Sequence, residues 1–298
     1  MLYGALEAGG TKMVCAIFDL QGNMLKRESF PTETPEVTMP KLIDFFRKEQ
    51  IAALGIGCFG PLDLNEDSPT FGSISTTPKL AWRNYPIQPA FEQALQVPVK
   101  LDTDVNAAAL AEASMGAAKG LESCMYVTIG TGIGGGMYLN GKLTHGLVHP
   151  EVGHMLVRIH PEDPMPEGIC PSHKGCLEGL AAGPAIEKRW ERSAKELPDD
   201  HVAWTIQADY IAQMCANAIY FVSPEKIVLG GGVMQRKHVF ELIRRRVREL
   251  LNGYVDSPMI LEHIEDYIVE PGLDVHSGIT GAYLLAVEAY EGKNSAKK

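Results

Sequence analysis

The sequence predicts an α/β protein whose mainly parallel sheet is covered by helices on both faces and is built from a duplicated unit. Two observations predict this fold class: two segments repeat one plan of short strands joined by glycine turns, and strands alternate with helices elsewhere. Strands that alternate with helices are typical of parallel sheets. With 298 residues, the chain is also long enough for two lobes.

The repeated segments are two strand meanders. Residues 3–28 are predicted as a strand, a glycine turn at 9–11, a second strand, another turn and a third strand. Residues 124–148 repeat this plan around a turn at 130–132, and the next turn is Asn140-Gly141. Asn-Gly between alternating strands is a strong hairpin signal. The two meanders therefore predict a duplicated α/β unit whose glycine turns face one another.

The remaining elements follow from helical periodicity and from short apolar runs that end in glycine or in polar residues. Residues 106–118 are rich in alanine, the best helix former. The predicted helices are 38–50, 106–118, 177–194, 204–221, 236–252 and 278–292, and the predicted strands between them are 52–60, 97–105 and 226–232.

The composition excludes several classes of protein. Lysine and arginine number 27 against 37 acidic residues, giving a formal net charge of -10, which argues against nucleic acid or an anionic membrane as the main partner. No long uncharged apolar stretch could span a bilayer, and the opening residues "MLYGALEAGG" lack the pattern of a signal peptide. A cytoplasmic location is therefore expected.

Three glycine turns follow buried strands, at residues 9–11, 130–136 and 230–232. Any one of them is explained as well by hairpin geometry. Together, with hydroxyls from Thr11 and Thr131, they favour nucleotide binding, because exposed backbone N–H groups beside glycine suit a polyphosphate. The G-x-x-x-x-G-K-[ST] spacing of a P-loop is absent from all three.

Six motifs occur in the order found in the ROK sugar kinases: "EAGGTK", "GIGCFGPLDL", "DTDVNAAALAEA", "GTGIGGG", "HPEVGHM" and "LGGGV". The resemblance runs from about residue 3 to 285, and "TFGSISTTPKLAW" with "CPSHKGCLEG" is most similar to the zinc-containing bacterial fructokinases of that family. It implies two lobes of ribonuclease H-like, actin-like ATPase topology with an interlobe cleft. The expected domains are 1–118 with the C-terminal helix 280–298, and 119–279 with a zinc loop.

Two positions depart from the commoner glucokinase pattern of the family. Glu7 stands where aspartate is usual, and Thr103 stands where glucokinases usually have asparagine. The second departure weakens an assignment to glucose.

Asp104 lies at the end of a predicted strand, just before the alanine-rich helix. On its own this position is typical of a helix cap, a role that Asn106 could share. The resemblance instead implies that Asp104 is the general base that accepts the proton of the sugar hydroxyl, with Asn106 nearby. It also implies that Glu7 reaches Mg²⁺ through water.

The resemblance implies further contacts with sugar and with ATP. "HPEVGHM" places Glu151 and His154 three residues apart, on one face of a helical turn. By themselves, Glu151 and Glu178 are explained more simply as a solvated charge and a helix-start acid. The implied sugar contacts are Gly72, Thr77, Thr103, Asp104, Glu151, His154 and Glu178. The implied ATP contacts are Gly10, Thr11, Lys12, Gly130, Thr131, Gly132, Gly183, Pro184, Gly231, Gly232, Val233, Met234 and Gln235.

A polar loop combines two cysteines with histidines. Its C-x₂-H-x₂-C run and an upstream histidine offer a tetrahedral zinc set: His154, Cys170, His173 and Cys176. Four protein ligands would close the coordination sphere, which predicts a structural zinc. His160 competes as a ligand, and a loop of free thiols is the alternative. Family members usually offer one histidine and three cysteines.

The predicted function is ATP-dependent phosphorylation of a hexose at the 6-hydroxyl, with fructose as substrate. A mannokinase or broad hexose kinase is the second hypothesis, and a sugar-responsive ROK regulator is the third. The regulators carry an N-terminal helix-turn-helix, whereas the first phosphate loop here begins within ten residues of Met1. The expected ligands are sugar, ATP, Mg²⁺ and structural Zn²⁺, and the expected assembly is a homodimer.

Overall fold

The computed structural model describes residues 1–295 and divides the chain into two compact units. Unit 1 consists of Met1–Ala111, Leu143–His149 and the chain from Val275 onward. Unit 2 consists of Glu112–Lys142 and Pro150–Asp274.

The strands of the described residues, in chain order, are β1 (Tyr3–Ala8), β2 (Lys12–Phe18), β3 (Met24–Pro31), β4 (Ala53–Cys58), β5 (Leu62–Asp63), β6 (Ser73–Ile74), β7 (Val99–Thr103), β8 (Cys124–Ile129), β9 (Ile133–Leu139), β10 (Lys142–Leu143), β11 (Lys226–Gly230) and β12 (Ile268–Val269). The α-helices are α1 (Pro35–Arg47), α2 (Ile87–Leu95), α3 (Asp104–Ser114), α4 (Leu177–Ala181), α5 (Gly183–Trp190), α6 (Ala203–Phe221), α7 (His238–Leu251), α8 (Pro258–Leu261), α9 (Ile264–Tyr267) and α10 (Ser277–Ser295).

The two main sheets have one topology. One sheet has the order β3-β2-β1-β4-β7 and the other has the order β10-β9-β8-β11-β12. In each, an antiparallel meander is followed by parallel strands: β4 pairs parallel to β1 and β7, and β11 pairs parallel to β8 and β12. The prediction of a duplicated α/β unit is therefore confirmed, but each sheet is mixed and not mainly parallel, because the meander strands pair antiparallel.

Each sheet is buried within its own unit. β1 and β4 are almost continuously buried, as expected for strands that are covered on both faces. A Cβ at Gly55 would lie 1.9 Å from the carbonyl oxygen of Ala282, so only glycine lets α10 pack this closely on β4. In unit 2, the apolar faces of α6 and α7 join β8 and β11 in one core.

The unit boundaries differ from those expected at residues 118 and 280. Glu112 accepts hydrogen bonds from the backbone N–H groups of Gly272 (2.9 Å) and Leu273 (3.2 Å), which ties the end of α3 to unit 2. Gly278 packs against Glu7, which ties the start of α10 to unit 1. The domain expected to end at residue 298 includes residues 296–298, which lie outside the described residues.

The predicted helix over 177–194 is two helices. Ala182 is extended (φ -69°, ψ 159°), and α5 begins at Gly183 with Pro184 in its first turn. Pro184 has no N–H to donate within a continuous helix, but proline suits a first turn, so the chain stops at Ala182 and restarts at Gly183. Over the described residues, none of the helices has the length and apolar character that crossing a membrane requires.

Candidate active site and metal centre

The first glycine turn joins β1 to β2 in unit 1. The Gly9 N–H donates to the Lys12 carbonyl (3.1 Å), and the Thr32 hydroxyl donates to the Gly9 carbonyl (2.7 Å). These bonds close the turn and leave the side chains of Thr11 and Lys12 exposed. The turn therefore presents a hydroxyl and an ammonium group at the carboxyl end of β1, where an anionic ligand would find both.

Glu7 lies on β1 just before this turn. A Cβ at Gly278 would lie 2.9 Å from the Glu7 carboxyl carbon, so the glycine makes room for the acid. Burial raises the pKa of Glu7, while the positive charges of Lys12 and Arg27 act against that rise. A carboxylate in such a place is suited to a divalent cation or to the water that hydrates one.

The start of α3 settles which residue caps the helix. The Asn106 N–H donates to the Thr103 hydroxyl oxygen (3.1 Å), which is an N-cap hydrogen bond. Asp104 is the first helical residue, and its Oδ1 accepts from the Val105 N–H (2.9 Å). A Cβ at Gly57 on β4 would meet the Cβ of Ala107 at 2.9 Å, so glycine lets this helix start approach the sheet. The cap is Thr103, which leaves another role for Asp104.

Sequence reasoning missed a polar network beside Asp104. The Asp102 carboxylate accepts from the Asn106 amide (2.8 Å) and from the Thr103 N–H (2.8 Å), and it lies 2.8 Å from the His145 Nε2. The Asp102 side chain is 2% exposed and that of His145 is 39% exposed. His145 is 43 residues away in sequence, and the only signal for it was a histidine near the end of the second meander.

Gly72 and Thr77, which are expected to contact sugar, lie in a hydrogen-bonded part of unit 1. Gly72 is buried with φ +78°; its N–H donates to the Asp63 carbonyl (2.9 Å) and its carbonyl accepts from the Gln88 N–H (3.0 Å). The Thr77 hydroxyl is also buried and accepts from the Lys79 N–H (3.3 Å). These bonds give both residues a structural role, and their contact with sugar stays a prediction.

In unit 2, the structure brings two of the expected ATP loops and α5 together. The Gly130 carbonyl accepts from the Gly183 N–H (2.7 Å), and a Cβ at Gly130 would lie 3.8 Å from the Gly232 nitrogen. Thr131 and Pro184 are exposed on either side. Three separate stretches of sequence thus place glycine backbone at one point, which is the arrangement that a phosphate chain requires.

The stretch Gly231–Gln235 divides into two parts. Gly231 has φ +91°, and a Cβ there would lie 2.5 Å from backbone atoms of Ile129, so only glycine fits this turn. Val233 and Met234 are buried in the core of unit 2, with 3% and 4% exposure. Their side chains pack inward, so any contact they make with a nucleotide runs through the backbone.

Glu178 packs against the glycine turn at 130–132 of unit 2. Its Oε2 accepts from the Ile133 N–H (2.9 Å) and lies 2.7 Å from where a Cβ of Gly132 would be. Glu151 and His154 are joined by a bond from the His154 N–H to the Glu151 carbonyl (3.0 Å) in a 3-10 turn. Residues three apart eclipse in such a turn, as their spacing predicted.

The four expected metal ligands converge in unit 2. The ligand atoms of His154, Cys170, His173 and Cys176 all lie within 4.8 Å of one another. The Nδ1 of His154 lies 3.9 Å from each of the two sulfurs, and the Nδ1 of His173 lies 3.7 Å from the Cys170 sulfur. Tetrahedral zinc bonds would set N···S at about 3.6 Å. His160 is not in this cluster, because its Nδ1 accepts from the Glu162 N–H (3.2 Å).

A buried ion pair fixes the loop that carries these ligands. Asp163 accepts from Arg189 Nε (2.7 Å) and from the Tyr210 hydroxyl (2.6 Å), and the side chains of the ion pair are 0% and 1% exposed. Cys176 begins α4 as its N-cap, its sulfur accepting from the Gly179 N–H (3.4 Å). The cluster is thus held at both ends of the loop by ordered structure.

Comparison with known proteins agrees with this geometry. The sequence model of the ROK family matches residues 3–289. A fructokinase of Zymomonas mobilis subsp. mobilis is 44% identical over 97% of each chain, and a fructokinase of Pediococcus pentosaceus is 43% identical over 97% of this chain and 99% of its own. The crystal structure of a ROK hexokinase from Thermus thermophilus matches with a TM-score of 0.78 and 31% identity, covering 99% of this chain and 100% of that one.

Proposed function

Because this chain belongs to the ROK family, we propose that it transfers the γ-phosphoryl group of ATP to the 6-hydroxyl of D-fructose. The observation that carries the proposal is the start of α3. Thr103 caps the helix, so the Asp104 carboxylate is not needed for capping and stands at the carboxyl end of β7. That edge of a parallel sheet is where α/β proteins place reactive groups.

Asp104 is the general base of the proposed reaction. Its carboxylate takes the proton of the 6-hydroxyl while the hydroxyl oxygen attacks the γ-phosphorus and the bond to the bridging oxygen breaks, releasing ADP. Lys12 and the Thr11 hydroxyl bind near the transferred group and offset its charge. Mg²⁺, when bound with ATP, neutralises phosphate charge, and Glu7 is the residue that would hold it through water.

Sugar recognition is assigned to polar side chains. We assign Glu151, His154 and Glu178 to adjacent hydroxyls at the first carbons of the hexose, where fructose and mannose both differ from glucose. Thr103 is 3% exposed and its hydroxyl accepts the capping bond, at a position where glucokinases usually have an amide. A site that lacks one hydrogen-bond partner discriminates against the hydroxyl that needed it.

Zinc is assigned to the four-ligand cluster. The ligand types and the nitrogen–sulfur distances of 3.7 and 3.9 Å fit a closed tetrahedral site. When bound, zinc would cross-link the loop to the 3-10 turn at His154. Its four protein ligands would leave no open position for substrate. His154 then has two roles, because its Nδ1 faces the cluster and its other ring nitrogen is left for sugar.

The substrate assignment is tested by measuring kcat/KM for fructose, mannose and glucose under one set of conditions with ATP and Mg²⁺. Fructose is expected to rank first, and glucose is expected to be lower by at least about tenfold, the value of one unpaired polar group. Mannose ranking first would favour the mannokinase hypothesis. Glucose ranking first would overturn the specificity argument but leave phosphoryl transfer intact.

The assembly and location remain predictions. The expected state is a cytoplasmic homodimer, and light scattering measures the mass directly against the 32.5 kDa of one chain.

A further inference from the structure

The segment 143–149 is fixed to unit 1 by two histidines. It follows β9 in sequence and precedes the stretch that contains Glu151 and His154. His145 Nε2 lies 2.8 Å from Asp102 Oδ2, and His149 Nε2 accepts from the Leu62 N–H (3.0 Å). His149 is buried and bonds to the start of β5, whereas His145 contacts Asp102 on the strand that leads to Asp104.

Asp102 is a buried acid whose two oxygens have different partners. Oδ1 accepts from the Thr103 N–H and from the Asn106 amide, and Oδ2 faces His145. An ionised carboxylate only accepts, so both the His145 Nε2 and the Asn106 Nδ2 donate to it. The 3.4 Å between those two nitrogens is then a contact of two donors around one carboxylate. Burial of an acid is costly unless all such partners are present.

We propose that His145 is a positioning residue for phosphoryl transfer: through Asp102 it fixes the start of α3 and therefore the Asp104 carboxylate. The inference rests on the proposed role of Asp104 as base. Thr103 transmits the effect, because its N–H bonds to Asp102 and its hydroxyl caps the helix that begins at Asp104. A base displaced by about 1 Å loses a large part of its rate advantage, since proton transfer needs close contact.

The pair depends on protonation. The hydrogen bond to Asp102 raises the pKa of His145, whereas burial and the positive charge of Lys100 act against the rise. Below the raised pKa of His145 the contact is an ion pair between imidazolium and carboxylate, and above it a neutral imidazole donates a weaker bond to the same carboxylate. Other titratable groups that line the same cavity as His145 are Asp63, Glu66 and His149.

The test compares His145→Ala with His145→Gln. The alanine variant should lose about 10- to 50-fold in kcat while the KM for fructose changes less than about threefold, because base placement and not sugar binding is lost. Glutamine can donate to Asp102 without titrating, so it should recover kcat to within about threefold. The kcat of the natural protein is expected to decline above the raised pKa of His145, and the glutamine variant should lack this decline.

Lys100→Gln is the matched control, because it removes an exposed ion pair with Glu288 from the same strand. Its kcat below the raised pKa of His145 should stay unchanged, and the decline above that pKa should move to higher pH, because the charge of Lys100 lowers the pKa of His145. Unchanged kcat in His145→Ala, or equal loss in the alanine and glutamine variants, would overturn the positioning role.

NMR titration of His145 without substrate gives a second readout, and an unraised pKa would also overturn it. If Asp104 is not the base, Asp104→Asn will keep normal turnover while the pKa of His145 is still raised. This outcome is distinct from failure of the positioning role. If the alanine variant does not fold, the pH profile of the glutamine variant and the titration decide.

Discussion

The first glycine turn of each meander joins corresponding strands of the two units, but the two turns differ in length and in their side chains. The last paired residues of β1 and β2 are Ala8 and Met13, and those of β8 and β9 are Ile129 and Ile133. Four residues separate the first pair and three separate the second. The longer turn of unit 1 contains Lys12, whereas that of unit 2, Gly130-Thr131-Gly132, has no charged side chain.

The acids near the two turns also differ in origin. Glu7 of unit 1 lies on the strand before its turn, while the corresponding residue of β8 is Thr128. Unit 2 instead receives its acid, Glu178, from α4, just after the metal loop. The duplicated topology thus gives the two turns corresponding backbone positions, whereas their side chains differ. We expect substitutions in unit 1 to lower kcat and those in the metal loop to lower stability.

The largest effect is expected at Asp104. Asp104→Asn keeps the size of the side chain and a hydrogen-bond acceptor for the Val105 N–H but removes the proton acceptor. We expect kcat to fall about 10²- to 10⁴-fold, the usual contribution of a general base, with little change in the KM for fructose. Steady-state kinetics over a range of fructose concentrations measures both.

Glu36→Gln is the control for charge at a helix start, because Glu36 is an acid in the first turn of α1. It should cost as little stability as Asp104→Asn and leave kcat unchanged. Near-normal turnover in Asp104→Asn would contradict the assignment of Asp104 as the base. It would also contradict the expectation that substitutions in unit 1 mainly lower kcat.

The second effect is expected in the metal loop. Purified protein should contain about one zinc per chain, and Cys176→Ser should lose most of it and several degrees of Tm. Serine caps helices well, so the bond from the Gly179 N–H survives and the loss belongs to the metal. Metal analysis and calorimetry check the two parts.

Cys215→Ala is the matched control, since Cys215 is a buried thiol of α6 outside the ligand cluster. It should keep its zinc, although the small cavity will lower Tm somewhat. Zinc-free wild-type protein, prepared without chelators, would contradict the assignment.

Local patterns made much of this molecule predictable. The long periodic helices α6, α7 and α10 were expected within a few residues of their observed bounds. The ligand set was predictable because Cys170, His173 and Cys176 follow one another in one loop, so spacing alone brings them together. The glycine turns were also expected, because glycine has no Cβ and therefore adopts turn conformations that other residues avoid.

What failed depends on contacts distant in sequence or on very short elements. β12 is two residues long, Ile268–Val269, and only its pairing with β11 makes it a strand. The Asp102–His145 pair joins residues from different elements, which no local period can show. The helix α2 had a signal that was overlooked: Ile87, Phe91 and Leu95 are spaced by four, and Ile87 and Phe91 are buried while Leu95 packs against the same core.

The smallest expected effect is a change in stability on replacing Glu7, the acid that unit 2 lacks at the matching position. Because burial raises its pKa, folded Glu7 keeps its proton at pH values where the unfolded chain has lost it. The folded state therefore loses stability as pH rises from the ordinary glutamate range through the raised pKa. Glu7→Gln removes this loss, so its Tm should exceed that of the natural protein by about 1–2 °C near pH 7.5. The difference should shrink toward pH 4.

Calorimetry at several pH values, without ATP or Mg²⁺, measures this difference. Glu28→Gln is the control, because Glu28 is an exposed acid on β3 and its replacement should give no pH-dependent change. The same Glu7→Gln protein should lose activity, since it can no longer hold hydrated Mg²⁺ by charge. A variant that gains stability and loses turnover would show that the acid is kept in unit 1 for chemistry at a cost to the fold. A Tm lower than that of the natural protein at neutral pH would instead mean that Lys12 and Arg27 make the ionised acid a net stabilising group.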